Sequence, residues 1–320
     1  MTLSMIIRLH PSGPWRIGPD SADRDRVDRV YHSDSVYSAV STAMARLGML
    51  EEWLDATARA TEPAVKFSSC FPFQGDTMFV VPPRSLWPPP PSAKVRWKGA
   101  RFVPLSLVGD LVHGRAVSEE NWSVDGPSEC LVPQGGHGPF RVAVRSNAAV
   151  DRHGAAVEPH SSACLEFAPH AGMWMMTQFR DSDRWKQPVE AALRLLADSG
   201  FGGERSRGWG RAEVAFSDDE TPLVAATEGE AAWWMLSLFH PAESDAVDWQ
   251  RGDYALTTRT GRVDGSGDAK RSTRMVAEGS VIVAPSEPRG AAMDVAPENF
   301  AHPVYRAGFA VAVAIPWRAA

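Results

Sequence analysis

In the element order predicted from this sequence, strands outnumber helices, and the helices are separated by pairs of strands. That order is typical of an α+β fold of the split βαβ, or ferredoxin-like (RRM-like), kind. At 320 residues the chain is long for one domain, and the acidic stretch at 217–230 has the composition of a linker or a charged loop. We therefore expect two tandem modules, an N-terminal one over residues 1–220 and a degenerate one over residues 221–320.

Composition excludes several classes of protein. The formal charge of −6 means that any nucleic acid must be held in a local groove and not by overall attraction. Cys70, Cys130 and Cys164 lie far apart and form no CxxC pair, so we expect reduced thiols with no disulfide framework, no metal and no cofactor. The sequence has no long apolar run, and Arg8 and Pro11 interrupt its first apolar stretch. We expect a cytoplasmic protein with no membrane association.

The first elements follow from hydrophobic spacing. Met5–Leu9 is a predicted strand, and a helix follows because Val36, Val40, Met44 and Leu47 recur at helical spacing before Gly48. Ser33 and Asp34 are predicted to cap this helix. A second helix is expected over 49–60, and then a hairpin with its turn at 74–76.

His32, just before the first helix, has three possible roles in this sequence. It is an RNA contact, a catalytic base, or a buried residue that forms hydrogen bonds.

Proline marks the next region. Residues 82–91 are too rich in proline to join a sheet interior, and an insertion is expected at about 82–140. Within it, residues 109–140 are predicted to protrude from the first module, because their composition rarely builds a core; a disordered loop is the alternative. Strands are expected at 141–145, 163–167 and 172–179.

The last helix of the first module is defined by an apolar face. Its members are Trp185, Val189, Ala192, Leu193 and Leu196. Asp183 is predicted to cap its start, Gly200 ends it, and a strand follows at 212–216. The second module opens with a strong strand over 231–241.

A basic turn follows in the second module and contains Arg259, Arg262, Lys270, Arg271 and Arg274. Such turns are usually solvated, but this clustering also allows a second electropositive site. Two or three strands surround the turn, and one long strand is predicted over 302–317.

The motif with the clearest chemistry is GFGGERSRGWGR, Gly200–Arg211, which holds five glycines and three arginines between a helix and a strand. Glycines at this density let successive amides point into one concavity, and arginine forks match phosphate oxygens. We interpret the loop as a polyanion site. A plain tight turn is the alternative reading, and Trp209 either stacks on a base or packs under the loop. Spacing and order exclude a P-loop and a dinucleotide loop.

This loop resembles the signature of the repeat-associated (RAMP) superfamily of CRISPR RNA-binding proteins. Further stretches resemble one branch of it, the fourth subunit of the Csm complex in type III-A systems. They are HSDSVYSAV at 32–40, CFPFQGDTMFV at 70–80, FVPLSL at 102–107, AVDRHG at 149–154, RTGRV at 259–263, MVAEGSVI at 275–282 and HPVYRAGFA at 302–310.

The resemblance implies a non-catalytic subunit that caps the 5′ handle of the guide RNA. It would contact the large polymerase-like signalling subunit and the first backbone filament subunit, and a thumb within 109–140 would displace a nucleotide where handle meets guide. The residues expected at the RNA are Gly202, Gly203, Arg205, Ser206, Arg207, Gly208, Trp209, Gly210 and Arg211 of the loop, with His32, Ser33, Arg145, Arg152, Arg259 and Arg274.

Two other functions stay open at the level of sequence. A guide-RNA processing endoribonuclease of the same superfamily would use His32 as its acid or base, although such enzymes carry the glycine-rich loop near the C-terminus. A scaffold without RNA contact would require the loop arginines to be paired with acidic neighbours such as Glu204 and Glu213.

Overall fold

The computed structural model describes residues 3–18, 24–89, 97–150, 157–218, 231–263 and 266–317. The helices in these ranges are α1 (Ser33–Arg46), α2 (Leu50–Ala56), α3 (Leu105–Val112) and α4 (Ser182–Ser199). The strands are β1 (Leu3–Pro11), β2 (Val65–Phe67), β3 (Phe71–Gln74), β4 (Thr77–Val80), β5 (Val103–Pro104), β6 (Trp122–Asp125), β7 (Cys130–Pro133), β8 (Phe140–Val150), β9 (Val157–Phe167), β10 (Ala171–Phe179), β11 (Ala212–Ser217), β12 (Ala231–Met235), β13 (Asp248–Asp253), β14 (Leu256–Arg259), β15 (Thr273–Val276), β16 (Val281–Val283), β17 (Gly290–Asp294), β18 (Tyr305–Phe309) and β19 (Ala312–Pro316).

The N-terminal part, residues 3–218, is built on one antiparallel sheet in the order β11-β1-β10-β3-β4-β5, with β2 also paired to β10. Ile7 of β1 lies opposite Met175 of β10 on one side and Phe216 of β11 on the other. Nearly every residue of β10 is buried, which is typical of a central strand covered on both faces. The prediction of an α+β fold is confirmed, and its sheets are antiparallel in the described residues.

The two long helices use the apolar faces that their spacing predicts. Val36, Val40 and Met44 of α1 are buried, as are the five predicted positions of α4, and the two helices pack against each other. The predicted caps are wrong. Asp181, not Asp183, accepts the backbone N–H of Arg184 at the start of α4. Ser33 and Asp34 make no cap, because both side chains are used in contacts with the C-terminal part.

Residues 109–140 do not protrude as predicted. They continue α3 and then form the antiparallel hairpin of β6 and β7. Leu111, Val112, Cys130, Leu131 and Val132 are buried in the main core. Composition misled the prediction, because these few apolar residues pack against the existing core and need none of their own.

A different hairpin extends from the N-terminal part. Strands β8 and β9 pair antiparallel over 11 residues each, from Phe140 opposite Phe167 to Val150 opposite Val157. The base of β9 is anchored, since Trp15 bridges to Leu165. On β8, by contrast, the Val142 and Val144 side chains are 36% and 58% exposed.

The C-terminal part, residues 231–317, contains a four-stranded antiparallel sheet in the order β13-β16-β12-β19, with two-stranded ribbons beside it. The long strand predicted over 302–317 is instead two strands with different partners, since β18 pairs with β17 and β19 with β12. Ser237 fixes the break between them: its hydroxyl donates to Phe309 O and accepts the N–H of Val311.

The two parts share one continuous core. Trp234, Leu236 and Phe309 of the C-terminal part belong to the same buried cluster as Trp53 and Trp174 of the N-terminal part. Within the described ranges, no helix combines the length and apolar character needed to cross a membrane. The predicted module boundaries, with 219–230 outside the described residues, stay a prediction.

Candidate nucleic-acid interface

The glycines of the loop at 200–211 serve mainly close backbone packing. A Cβ at Gly202 would lie 2.3 Å from Arg16 O, and one at Gly210 would lie 2.0 Å from Phe201 O. A Cβ at Gly200, whose φ is +99°, would lie 2.4 Å from Trp209 O. The alternative prediction, a plain tight turn, therefore accounts for these three glycines. They are needed because the chain folds tightly onto itself and onto residues 14–17.

Several loop amides already have protein acceptors. The N–H groups of Phe201, Gly203 and Gly210 donate to Gly210 O, Arg16 O and Pro14 O, and two further amides close the short turn at 205–207. The predicted concavity lined by successive free amides is therefore not formed by these groups.

The three loop arginines lie in different environments. Arg205 is half-buried and lines a cavity beside the loop together with Gly202, Gly203, Ser206 and Arg46. Arg207 pairs with Glu204 at 3.2 Å and lies 3.1 Å from Nε2 of His160 on β9. The hypothesis of a scaffold without RNA contact requires the loop arginines to be paired with acidic neighbours, and Arg207 meets this requirement.

The last residues of the loop turn towards the protein. Arg211 is exposed, and its carbonyl accepts from Ser12 N–H and from the indole of Trp15. Trp209 is only 8% exposed, so the core-packing alternative describes it. Gly208, at φ +80°, has open space where a Cβ would stand.

Beyond the loop lies a cleft of about 340 Å³ between the N-terminal and C-terminal parts, here called the junction cleft. Its lining includes Gly202 and Arg205 from the loop, Asp34, Ser35, Ser38 and Thr42 from α1, and Arg259, Thr260, Gly261, Arg262, Lys270, Tyr305 and Arg306 from the C-terminal part. Two motifs far apart in the sequence, the glycine-rich loop and RTGRV, thus share one cleft.

The junction cleft is strongly cationic. Five of its described lining residues are cationic, and one is a carboxylate, Asp34; the cations are Arg205, Arg259, Arg262, Lys270 and Arg306. In a chain whose formal charge is −6, this concentration of positive charge is local. A groove of one sign with low-dielectric walls focuses its field on a ligand of the opposite sign, here a polyanion.

Asp34 organises two of these cations. Its carboxylate accepts from Arg259 at 3.0 and 3.1 Å and lies 3.5 Å from Arg306 Nε, and all three side chains are at most 6% exposed. Burial alone would raise the pKa of Asp34, but the two guanidinium groups outweigh it and hold that pKa below its usual range. The Arg306 guanidinium also donates to the carbonyls of Arg259 and Thr260, which fixes the backbone of RTGRV.

His32 makes a second buried link between the two parts. Its ring nitrogens lie 2.7 Å from Glu278 Oε1 and 3.0 Å from Asp28 Oδ2. Burial would lower the pKa of His32, but the Glu278 carboxylate and both hydrogen bonds outweigh it and raise the pKa to about 9. Ser69 Oγ donates to the same Glu278 oxygen.

Ser33 completes the set, since its hydroxyl accepts the N–H of Leu238 at 3.0 Å and its own N–H donates to Ser69 Oγ. We call His32, Ser33 and Asp34, with their partners Glu278, Leu238, Arg259 and Arg306, the inter-module clasp. Four stretches singled out in the sequence, at 32–40, 259–263, 275–282 and 302–310, meet in it. Sequence stretches that carried the family resemblance thus meet where the two parts join.

The clasp changes the interpretation of three predicted RNA contacts. His32 and Ser33 are buried in it, and the Arg259 guanidinium is bound to Asp34 while lining the cleft. Both ring nitrogens of His32 are bonded to carboxylates. Of its three predicted roles, the geometry therefore favours that of a buried residue that forms hydrogen bonds.

Two further predicted residues, Arg145 and Arg274, are not part of the cleft lining. Arg145, on β8, is paired with Glu166 at 2.7 Å, and Arg274 is exposed on β15 opposite Thr258. Arg152 lies outside the described residues. The sequence analysis missed Lys270, Arg262 and Arg306 as members of one site. Arg262 and Lys270 were visible as a basic turn, but their distance from the loop in sequence hid the connection.

Comparison with known proteins shows which family and which folds this chain resembles. Residues 228–315 match the family described as CRISPR Csm4 C-terminal domain. A chain in the crystal structure of the Csm3-Csm4 subcomplex of the type III-A CRISPR-Cas interference complex superposes with a TM-score of 0.66 at 14% identity, covering 97% of this chain and 98% of that one. A chain in the crystal structure of the Csm1-Csm4 cassette with cA4 gives 0.61 at 16% identity, with 100% of both chains covered. A search of curated proteins gives no match.

The antiparallel α+β architecture is shared with these chains over their full length, which shows a common fold. Its C-terminal residues also match the Csm4 domain family, so the chain is Csm4-like in that region and in its overall fold. The resemblance drawn from the sequence motifs is confirmed.

Proposed function

We propose that this protein is a non-catalytic subunit of a type III CRISPR effector complex that binds the 5′ handle of the guide RNA in the junction cleft. In such a complex it serves defence against foreign nucleic acid and works in the cytoplasm. The observation that carries the proposal is that five cationic side chains and a single carboxylate are among the described residues lining a cleft between the two parts of an acidic chain.

Phosphate binding is the chemistry that fits this cleft. Arginine presents a planar fork matched to phosphate oxygens, and a single-stranded RNA backbone threads a cationic groove without regard to sequence. The cavity beside the loop continues the junction cleft, because Gly202 and Arg205 line both. Together they form a path along the glycine-rich loop and the exposed side of α1.

The partners follow from the structures that share the fold. The matching chains come from a Csm1-Csm4 cassette and a Csm3-Csm4 subcomplex. We propose that this chain contacts the corresponding large signalling subunit and backbone subunit, and so bridges them. We also propose that the chain comprises tandem ferredoxin-like modules. The strand order β11-β1-β10-β2, with α1 and α4 as the crossing helices, supports this for the first module.

The thumb that displaces a nucleotide is assigned to the hairpin of β8 and β9 instead of residues 109–140. The hairpin extends from the body of the N-terminal part with Val142 and Val144 exposed on β8. It also touches the glycine-rich loop, since His160 lies against Arg207. These contacts put it beside the proposed RNA path.

The experiment is RNA retention in a purified assembly that contains this subunit. Arg205 and Arg262 are replaced by alanine, both being members of the junction cleft outside the inter-module clasp. RNA is extracted after washes of rising ionic strength, and its 5′ ends are sequenced. We expect the unmodified assembly to yield RNAs with a shared short leader and the double variant to lose RNA at lower salt.

Arg115→Ala with Arg194→Ala is the matched control, because these arginines are exposed and form ion pairs on the surface. The proposal fails if the cleft variant keeps its RNA as well as this control does. It also fails if the RNA has no common 5′ sequence.

A further inference from the structure

A second pocket opens from the junction cleft. It has a volume of about 520 Å³, lies between α1, α2 and residues 302–305, and is here called the helix pocket. Four residues, Ser38, Thr42, Lys270 and Tyr305, line both cavities. A chain bound in the cleft therefore has a side opening of the size of a small-ligand site.

The helix pocket differs from the cleft in chemistry. Its walls include the apolar side chains of Leu50, Leu54 and Val263 and the hydroxyl side of α1. Its Arg59 is already neutralised by Glu51 and Asp55, each at 2.8 Å. Apolar walls with a few hydroxyls suit an uncharged, flat group better than a phosphate.

The boundary between the two cavities carries an aromatic ring, a kind of surface on which unstacked bases are bound. Tyr305 lines both, and the guanidinium carbon of Arg59 stands 5.9 Å from the centre of its ring. Unstacked RNA bases are bound on aromatic rings and on guanidinium planes, with their edges bonded to polar groups nearby. Ser38 and Thr42 of α1 stand at the same boundary. Ser38 offers a hydroxyl, and the Thr42 hydroxyl, which donates to Ser38 O at 3.0 Å, can still accept such a bond.

We propose that the helix pocket is a base-binding subsite that takes one unstacked nucleobase of the RNA whose phosphates lie in the junction cleft. Lys270, which lines both cavities, marks the point where the base leaves the backbone path. This inference rests on the proposed function and adds a place where a base, and not only the backbone, is recognised.

The test uses the purified full chain and labelled single-stranded RNAs of about eight nucleotides, within the range of ~4–16 that such modules cover. An abasic ribose is moved through each position, and affinity is measured by fluorescence anisotropy. We expect one position at which loss of the base weakens binding about tenfold, the scale of one stacked base.

Ala45→Trp fills the pocket from the exposed side of α1, where Ala45 is part of the lining. We expect this variant to bind intact RNA about tenfold more weakly and to become insensitive to the abasic position, with an unchanged salt dependence. Ala191→Trp, at an exposed position on α4, is the matched control and should behave as the unmodified chain. Thermal denaturation checks that both variants fold.

The two proposals fail in different ways. If RNA binds with a salt dependence that Arg262→Ala lowers, but no abasic position matters or Ala45→Trp has no effect, the base subsite is wrong and the cleft stands. If the unmodified chain binds no RNA, both are wrong.

Discussion

At the scale of single residues, Asp34 has the most consequential environment in the protein. It is 6% exposed and forms ion pairs with two buried guanidinium groups that come from the other part of the chain. Removing one partner of a buried ion pair leaves an uncompensated charge, which costs far more than the net value of the pair. Asp34 therefore holds Arg259 and Arg306 in the cleft wall as well as joining the two parts.

Asp34→Asn is expected to lower the free energy of unfolding by about 3–5 kcal/mol, because Arg259 and Arg306 stay buried without their carboxylate. Denaturant titration measures the change. Asp110→Asn serves as control, since Asp110 is exposed and pairs with an exposed Arg115; its expected cost is below about 1 kcal/mol. Equal midpoints for the two variants would contradict the clasp.

Because of the His32 link, we expect the free energy of unfolding to depend on pH above neutrality. Its pKa is raised to about 9 in the folded protein, above the usual ~6.5. The stability it contributes is therefore fully present below about pH 6.5 and is lost as the pH rises through about 9. We expect the free energy of unfolding to fall over this range and His32→Gln to remove that part of the fall.

Buried thiols set a background for this measurement, because burial raises the pKa of Cys70 and so also disfavours the folded state at high pH. The difference between the unmodified chain and His32→Gln isolates the contribution of the histidine. His137→Gln, at an exposed position, is the control and should follow the unmodified chain. If the free energy of unfolding depends on pH in the same way in all three proteins, His32 is not charged in the folded protein.

At the scale of elements, the glycine-rich loop is a packed connection that carries a few functional side chains. Gly200, Gly202 and Gly210 allow its backbone to approach Trp209, Arg16 and Phe201. This close packing places Arg205 at the mouth of two cavities, and the loop's chemistry depends on that placement.

Two substitutions separate the packing role of these glycines from backbone strain. Gly208 and Gly210 both have φ +80°, but only at Gly210 would a Cβ strike backbone, 2.0 Å from Phe201 O. We expect Gly208→Ala to cost about 1 kcal/mol from conformation alone and Gly210→Ala clearly more. Thermal denaturation of both variants measures this, and equal losses would mean that the loop relaxes.

At the scale of the whole molecule, the protein places a small cationic cleft on an acidic body. The formal charge of −6 is spread over the chain, whereas five cations converge on the junction cleft. We expect repulsion from the rest of the surface to weaken non-specific binding of nucleic acid, so that the proposed RNA affinity depends on the cleft itself.

For the isolated chain we expect the logarithm of RNA affinity to fall with the logarithm of salt concentration, by about 0.7 per phosphate bound. Arg262→Ala should weaken binding and reduce that slope by about 0.7, because one phosphate contact is lost. Anisotropy titrations across a series of KCl concentrations measure both quantities. Arg115→Ala, on an exposed surface pair, is the control. A slope unchanged by Arg262→Ala would place the RNA elsewhere.

Much of the element order is determined by the sequence alone. Strand β1, helices α1 and α4 and the hairpin of β3 and β4 occur where hydrophobic spacing and turn residues predicted them. These signals are local, since one apolar face per helix and alternation in a strand are set within a few turns of chain. The superfamily resemblance depended on the same local motifs.

The composition of the site was decided by tertiary structure. Asp34 and Arg259 are 225 residues apart, and no local signal reveals that a residue taken for a helix cap pairs with one taken for an RNA contact. Which arginines are neutralised and which line a cleft depends on how the two sheets dock. The sequence therefore identified the charged residues and the glycines of the site. Their roles were decided by burial and distance, which exist only in the folded chain.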